Sequence, residues 1–248
     1  MSADGVKRVL VTGAGKRVGR HIALALGRDG WDVAVHYNTS SDAADEVVEL
    51  IQSTGGTAEA IGADLSDRTQ VVALVSEAAG TLGGTLTALV NNASVFVADT
   101  ADNPSHYAEN MAVNLRAPLL LSAEFANQTD TGVILHMLDQ RVLKPNPLYF
   151  TYSLSKASLY WAMKTQAQAL APGIRVVGVG PGPTLRNTDQ ADGEFEAEAA
   201  ATLLGNGSPP ETIVECVRYL LGAEAVTGQM IAVDGGQHLT WQTPDLTV

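Results

Sequence analysis

Val11-Thr12-Gly13-Ala14-Gly15-Lys16-Arg17-Val18-Gly19-Arg20 decides the reading of this chain: an apolar run, Arg8–Thr12, leads into it and an apolar-periodic segment, Val18–Arg28, leads out. A glycine-rich turn between strand and helix lets backbone approach a phosphate closely. The helix start adds free N–H groups and the positive end of a dipole. The turn is no Walker loop, because Lys16 is followed by Arg17 and not by Ser or Thr, and it lacks the Gly-x-Gly-x-x-Gly spacing. An ordinary tight turn is the competing reading. Its place at the first strand-to-helix junction favours a nucleotide-phosphate turn, with Gly13, Arg17, Val18 and Gly19 against the ligand.

The same alternation continues outward from that turn. Strand-like runs are expected at Arg8–Thr12, Asp32–Tyr37, Ala58–Ile61, Ala88–Asn91, Gly132–Met137, Ile174–Val179 and Met230–Val233. Helices are expected at Val18–Arg28, Ala43–Ser53, Gln70–Ala79, around Tyr107–Phe125, at Leu154–Leu170 and at Pro210–Leu221. Strands this continuously apolar need cover on both faces, which a parallel sheet flanked by helices provides. The expected fold is therefore α/β: a single-domain, Rossmann-like, doubly wound parallel sheet spanning the 248 residues. One long irregular stretch, 183–208, carries Glu194, Glu196, Glu198 and Gly205-Asn206-Gly207-Ser208. It reads as a substrate lid or, for its Glu cluster, as an acidic solvated helix.

Composition narrows the function. Fifteen Lys and Arg against 27 Asp and Glu leave a net charge of −12, so the chain lacks the basic face that a nucleic-acid binder needs. With 46% apolar and 17% charged residues it has ample material for a core. Cys216 has no second cysteine to pair with, and the five histidines show no zinc spacing. The start, Met1-Ser2-Ala3-Asp4-Gly5-Val6-Lys7, is unlike a secretory signal, which makes a cytoplasmic address the expectation. The uncharged stretch 78–98 holds Gly80, Gly83, Gly84, Asn91 and Asn92, so it reads as buried loop and strand, not as a membrane span.

The end of the second strand selects between cofactors. A fold that prefers NAD places an acid there, on the adenosine ribose, and an acid would repel the extra phosphate of NADP. Here the chain reads Val35-His36-Tyr37-Asn38-Thr39-Ser40-Ser41, with no acid before Asp42. NADPH is therefore expected over NADH, with Tyr37 and Asn38 along the cofactor and Ser40 and Arg17 near the 2′-phosphate. His36 is either a further contact there or a plain strand-end histidine. Asp64 and Leu65 follow the third strand, and Asn91-Asn92-Ala93-Ser94 follows the fourth, both at the carboxyl ends where open α/β sheets bind ligands.

A Tyr-x-x-x-Lys pair on a helix puts an ammonium and a phenol on one face, where the cation favours the ionised phenol. The motif occurs twice, as Tyr152/Lys156 and Tyr160/Lys164, and eight helical residues turn the second pair roughly 80° from the first. Tyr152 lies at the helix start on the crevice side, whereas Tyr160, beside Trp161 and Met163, reads as packing or subunit contact. With Thr12-Gly13 to Gly19, Asn91-Asn92-Ala93, Asn114, Gly180-Pro181-Gly182 and Val233-Asp234-Gly235-Gly236, the chain resembles the short-chain dehydrogenase/reductase family over nearly its whole length. The resemblance implies that Asp64 and Leu65 meet the adenine, and that Asn92, Ala93, Pro181 and Gly182 line the cofactor. It also implies that Asn114 supports Lys156 through a proton-relay water, and that the protein is a homotetramer built on its long helices.

Three departures occur together: Arg17 where that family usually has Gly, Asp139 where it has Ser, and Ser94-Val95-Phe96 after the Asn-Asn-Ala turn. The combination is similar to the pteridine reductases and the bacterial dihydrofolate and dihydromonapterin reductases. That likeness implies a small-molecule site of Arg17, Ser94, Phe96, Asp139, Tyr149 and Tyr152, with Lys156 on the nicotinamide ribose and Phe96 stacked on a pterin. The chemistry agrees, because a carboxyl beside a phenol suits a ring nitrogen that must gain a proton as hydride reaches the adjacent carbon. Arg141 pairs with Asp139 or holds an anionic substrate tail. Reduction of a ketone, an aldehyde or a 3-oxoacyl group is the alternative activity, and a non-catalytic NADPH-binding scaffold is the third.

Overall fold

The computed structural model, which describes residues 5–187 and 190–241, lays the seven apolar runs side by side as one parallel sheet. The strands are β1 (Arg8–Val11), β2 (Asp32–Tyr37), β3 (Ala58–Gly62), β4 (Ala88–Asn91), β5 (Gly132–Met137), β6 (Ile174–Pro181) and β7 (Met230–Val233). Their order is β3-β2-β1-β4-β5-β6-β7. The direction of winding reverses between β1 and β4, so the crevice of a doubly wound sheet opens at the carboxyl ends of those two strands.

Successive side chains of a strand point to opposite faces, and here both faces are buried. Val9, Val11, Val33, Val35, Leu135 and Val177 pack on one side with Ile22 and Leu26 of α1 (Arg17–Arg28), Val47 and Ile51 of α2 (Ser41–Ser53) and Ile213 and Leu220 of α8 (Pro210–Gly222). Leu10, Ala34, Leu89, Ile134 and Val176 pack on the other with Leu74 of α3 (Arg68–Thr81), Leu121 and Phe125 of α5 (Ala117–Gln128) and Leu159 and Met163 of α6 (Phe150–Leu170). Each such side chain contributes about 1.5–3 kcal/mol by burial. This two-sided burial is why the strands read as unbroken apolar runs.

The stretch expected as one helix around 107–125 divides into α4 (Tyr107–Met111), a π-helical turn at Ala112–Arg116, and α5. Pro118 supplies the cause: it has no N–H to give to the carbonyl four residues back, at Asn114, and its ring crowds that carbonyl. The widened turn absorbs the misfit and carries Asn114. Within the stretch expected as lid or acidic helix, a short α7 (Glu194–Ala200) forms, with Glu194 and Glu196 in its first turn, where the helix dipole favours acids. Among the described residues no helix is long and apolar enough to cross a membrane.

Candidate active site

The first turn is built by close packing. Gly13 has φ +63°, and a Cβ there would sit 3.0 Å from the Ala93 Cα; at Gly19 a Cβ would sit 2.2 Å from the Gly13 carbonyl oxygen. Thr12 Oγ1 accepts the amides of Asn92 (2.9 Å) and Ala93 (3.0 Å), and Asn92 Nδ2 donates to the Thr12 carbonyl at 2.8 Å. These bonds staple the Asn-Asn-Ala turn after β4 to the turn after β1. The first turn of α1 carries no acid, so its N-terminal amides are free to meet an anion.

Of the two readings of His36, a contact near the phosphate or a plain strand-end histidine, its burial and internal pairing fit the second. It is buried beneath the turn, where Nδ1 accepts the Gly13 N–H at 3.0 Å and Nε2 donates to the Ala63 carbonyl at 3.0 Å. Because Gly13 donates to Nδ1, the ring proton belongs on Nε2, and burial lowers the imidazole's proton affinity to about 4. The histidine ties the phosphate turn to the end of β3. Asn38 is exposed and Tyr37, Ser40 and Asp64 are half-buried at the strand ends. Leu65 is buried in the core, and Asp64 Oδ1 accepts the Ser66 amide at 2.8 Å.

Arg17 takes the glycine position of the turn at φ +52°, a left-handed conformation that costs a non-glycine residue about 1–2 kcal/mol. Its guanidinium crosses to the far side of the crevice, donating to the carbonyls of Arg186 (2.8 Å) and Leu185 (3.1 Å) and to Asn187 Oδ1 (3.0 Å). The expected lid is thus tied to the phosphate turn. No periodicity in the sequence signalled this contact, which links residues about 170 positions apart.

The residues expected to be catalytic come together where β5, α6 and the loop after β4 meet. Asp99 is buried and accepts from the Thr151 amide (2.9 Å), the Thr151 hydroxyl and the His106 amide, which anchors the start of α6. At the next residue, the Tyr152 hydroxyl donates to Asp139 Oδ2 at 2.7 Å. Burial, then the Asp139 carboxylate, hold the phenol well above its usual range. This reverses the expectation that Lys156 would favour the ionised phenol. Lys156 Nζ donates to the Met137 carbonyl at 2.8 Å and lies 5.8 Å from the Tyr152 ring centroid, while burial brings its ammonium down to about 8. Tyr152 is therefore a stored proton, not a standing phenolate.

Asn114 braces the loop after β4. Its Oδ1 accepts the Val95 amide (2.8 Å) and the Ser94 hydroxyl (3.1 Å), and its Nδ2 donates to the Val95 carbonyl (2.8 Å) and Asn110 Oδ1 (3.0 Å). The segment so held delivers Phe96. That ring stacks on Tyr149 (centroids 4.3 Å apart, planes 13° apart) and meets Tyr152 edge-on at 4.7 Å. One face of the Phe96 ring is thus covered by Tyr149. Arg141 donates from Nη1 to Asp139 Oδ2 at 3.2 Å, the pairing of the two offered by the sequence that the structure contains.

A cavity of about 400 Å³ joins these parts. Gly13, Lys16, Arg17 and Val18 line one end, Asn92, Ala93 and Ser94 the middle, and Phe96, Asp139, Tyr149, Tyr152 and Lys156 the other; Pro181 and Gly182 close one wall and Phe195 and Glu198 of α7 cover it. Tyr37, Asn38, Ser40, Asp64 and Leu65 lie outside its lining. The donor set fits a dinucleotide. Glycine backbone and a helix start meet one end of it, two cations stand beside them, and a buried ammonium waits at the other end. Among the described residues no group of three or more His, Cys, Asp or Glu is placed to hold a metal, and burial pushes the Cys216 thiol up to about 11.

The family model for short chain dehydrogenases matches residues 7–198, and the chain belongs to that family of oxidoreductases. A crystal structure of FolM alternative dihydrofolate reductase 1 from Brucella suis, in complex with NADP, matches with a TM-score of 0.93 at 38% identity over 97% of this chain and 98% of that one. Dihydromonapterin reductase from Shigella flexneri is 29% identical over 239 residues, 93% of this chain and 96% of the relative. The 3-oxoacyl-(acyl-carrier-protein) reductase FabG of Staphylococcus aureus is 31% identical over 247 residues, 94% and 98% of the two chains. The first two relatives fall in the branch that Arg17, Phe96 and Asp139 resembled.

Proposed function

We propose that this protein is an NADPH-dependent reductase of a pterin-like C=N bond. The observation that carries the reading is the 2.7 Å bond from the Tyr152 hydroxyl to Asp139, made beside the Phe96 ring in the wall of the cavity. A hydroxyl at position 139 would serve a carbonyl oxygen, which needs donors; a carboxyl serves a nitrogen that must be protonated. The solved relative's bound NADP and the unacidic end of β2 support NADPH over NADH.

The nicotinamide supplies the hydride when bound. Tyr152 gives its proton to the ring nitrogen next to the carbon that is reduced. Once Tyr152 has given up its proton, the Asp139 carboxylate on the same hydroxyl takes up a proton from solvent and relays it back to the phenolate, and the high cost of an ionised Tyr152 makes that replacement prompt. Lys156 holds the nicotinamide ribose with its ammonium, and Asn114 fixes the loop that presents Ser94 and Phe96. The described residues of 183–208, which leave out 188 and 189, serve as the lid, drawn to the phosphate turn by Arg17. An exposed apolar stripe on α6, Phe150, Leu154 and Trp161, supports self-association through that helix into the homotetramer that the family resemblance implies.

Replacing Asp139 by Ser separates the substrates. Pterin turnover falls by about 10²-fold or more, NADPH affinity stays near that of the parent, and ketone reduction is kept or gained. Pterin turnover unchanged by Asp139→Ser would refute the assignment. Reduction of a 3-oxoacyl group is the second reading, supported by the FabG relative, and Asp139 is the residue that speaks against it.

A further inference from the structure

Arg141 joins the acid to the aromatic slot. Asp139 caps the 3₁₀ turn Gln140–Val142, its Oδ1 accepting the Arg141 amide at 2.7 Å, so acid and guanidinium are held at fixed spacing on one turn. The guanidinium carbon lies 5.3 Å from the Phe96 ring centroid and 5.1 Å from that of Tyr149. A guanidinium has five N–H donors, and the bonds to Asp139 use Nη1 alone. Nε is buried with no hydrogen-bond partner among the described residues, although buried donors are nearly always paired. The side chain lines the cavity. A flat ring laid on Phe96 where the Tyr149 ring now lies would meet the same guanidinium, one turn from the Tyr152–Asp139 proton source.

We propose that Arg141 is a specificity-determining residue: the donors that Asp139 leaves free pair with an acceptor, a carbonyl oxygen or ring nitrogen, on the edge of a flat heteroaromatic substrate stacked on Phe96. The assignment rests on the pterin reading above and names the feature of the ring that this site recognises. A ring without an acceptor edge leaves the guanidinium donors unpaired in a closed site and is rejected for that reason. The other cations of the cavity do not serve this end of it, since Lys16 and Arg17 stand at the phosphate turn and Lys156 donates to Met137. Tyr149 is the ring's stand-in, and its backbone is pinned by the bridge to Asp99, so admitting a substrate requires its side chain to turn and not its loop to move.

The test is equilibrium binding of oxidised biopterin to the NADP⁺-loaded protein, with steady-state kinetics on 7,8-dihydrobiopterin, for the parent, Arg141→Met and Arg141→Lys. Arg141→Met is expected to weaken biopterin binding by about tenfold or more, and to raise KM by a factor exceeding its loss in kcat. Arg141→Lys keeps the charge beside Asp139 but not the planar fork, so it recovers kcat and leaves KM high. Should Arg141→Met lose NADP⁺ binding altogether, the biopterin affinity of Arg141→Lys decides in the same way. Biopterin affinity within about twofold of the parent in Arg141→Met, or full recovery of both affinity and KM in Arg141→Lys, overturns the assignment and leaves the pterin reading standing. Failure of the parent itself to bind biopterin overturns the pterin reading and this assignment with it.

Discussion

Lys156 shows how a single buried residue sets both activity and stability. Burial lowers its ammonium from 10.5 to about 8, so kcat/KM is expected to decline as pH rises past about 8, when the charge that holds the ribose is lost. The unfolded chain keeps that proton up to about 10.5, which means the cost of burying the cation is fully present below pH 8 and is recovered between pH 8 and 10.5. Lys156→Met should therefore be inactive, yet more stable at pH 7 by on the order of 3 kcal/mol, with the difference from the parent shrinking above pH 8. Denaturant titrations at pH 7 and 10 check this, and a less stable variant at pH 7 would count against it. Tyr152→Phe should lower turnover by about 10²–10⁴-fold while NADPH affinity holds; stopped-flow oxidation with a binding titration reads both. The Tyr152/Lys156 pair could be read from its helical spacing, whereas Asp139 and Phe96 stood out only through the resemblance to the pteridine reductases. The reach of Arg17 to Leu185 and the Tyr149 stack on Phe96 were not legible, since they depend on packing between distant segments that leaves no local pattern.

The two buried histidines act at the level of elements. His36 ties the end of β2 to the first turn, and His136 of β5 lies between Asn91 (3.2 Å) and Gln166 (3.0 Å), and burial brings each to about 4. The unfolded chain protonates them near 6.5, so stability should fall as pH drops from about 6.5 toward 4, by up to about 3 kcal/mol for each. Thermal melts across that range should slope less steeply in His36→Asn, and identical slopes would contradict the role. Asn114→Ala leaves the Val95 amide without its partner and removes one of the two donors to the Val95 carbonyl, and should cost about 1–3 kcal/mol, measured as lost melting temperature together with weaker substrate binding. All seven strands were legible, because strands buried on both faces stay apolar throughout and the turns between them carry Gly, Asn and Asp. The π turn was hidden. Its cause, Pro118, stands inside an otherwise regular helical pattern and could equally have marked a helix end.

Over the whole molecule, a net charge of −12 surrounds a cavity lined, among the described residues, by four cationic side chains, Lys16, Arg17, Arg141 and Lys156, against two carboxylates, Asp139 and Glu198. A polyanionic cofactor is thus drawn by local donors and not by the protein's overall field. On the outside, Trp161 stands 70% exposed on α6, and Trp161→Glu is expected to shift the protein to a smaller species in sedimentation; an unchanged species would place the interface elsewhere. The central claim is the choice of substrate, and it is tested most directly by kcat/KM with NADPH for 7,8-dihydrobiopterin set against an acetoacetyl thioester. The site described here predicts a preference for the pterin of about 100-fold or more. An equal or larger kcat/KM for the thioester would contradict it.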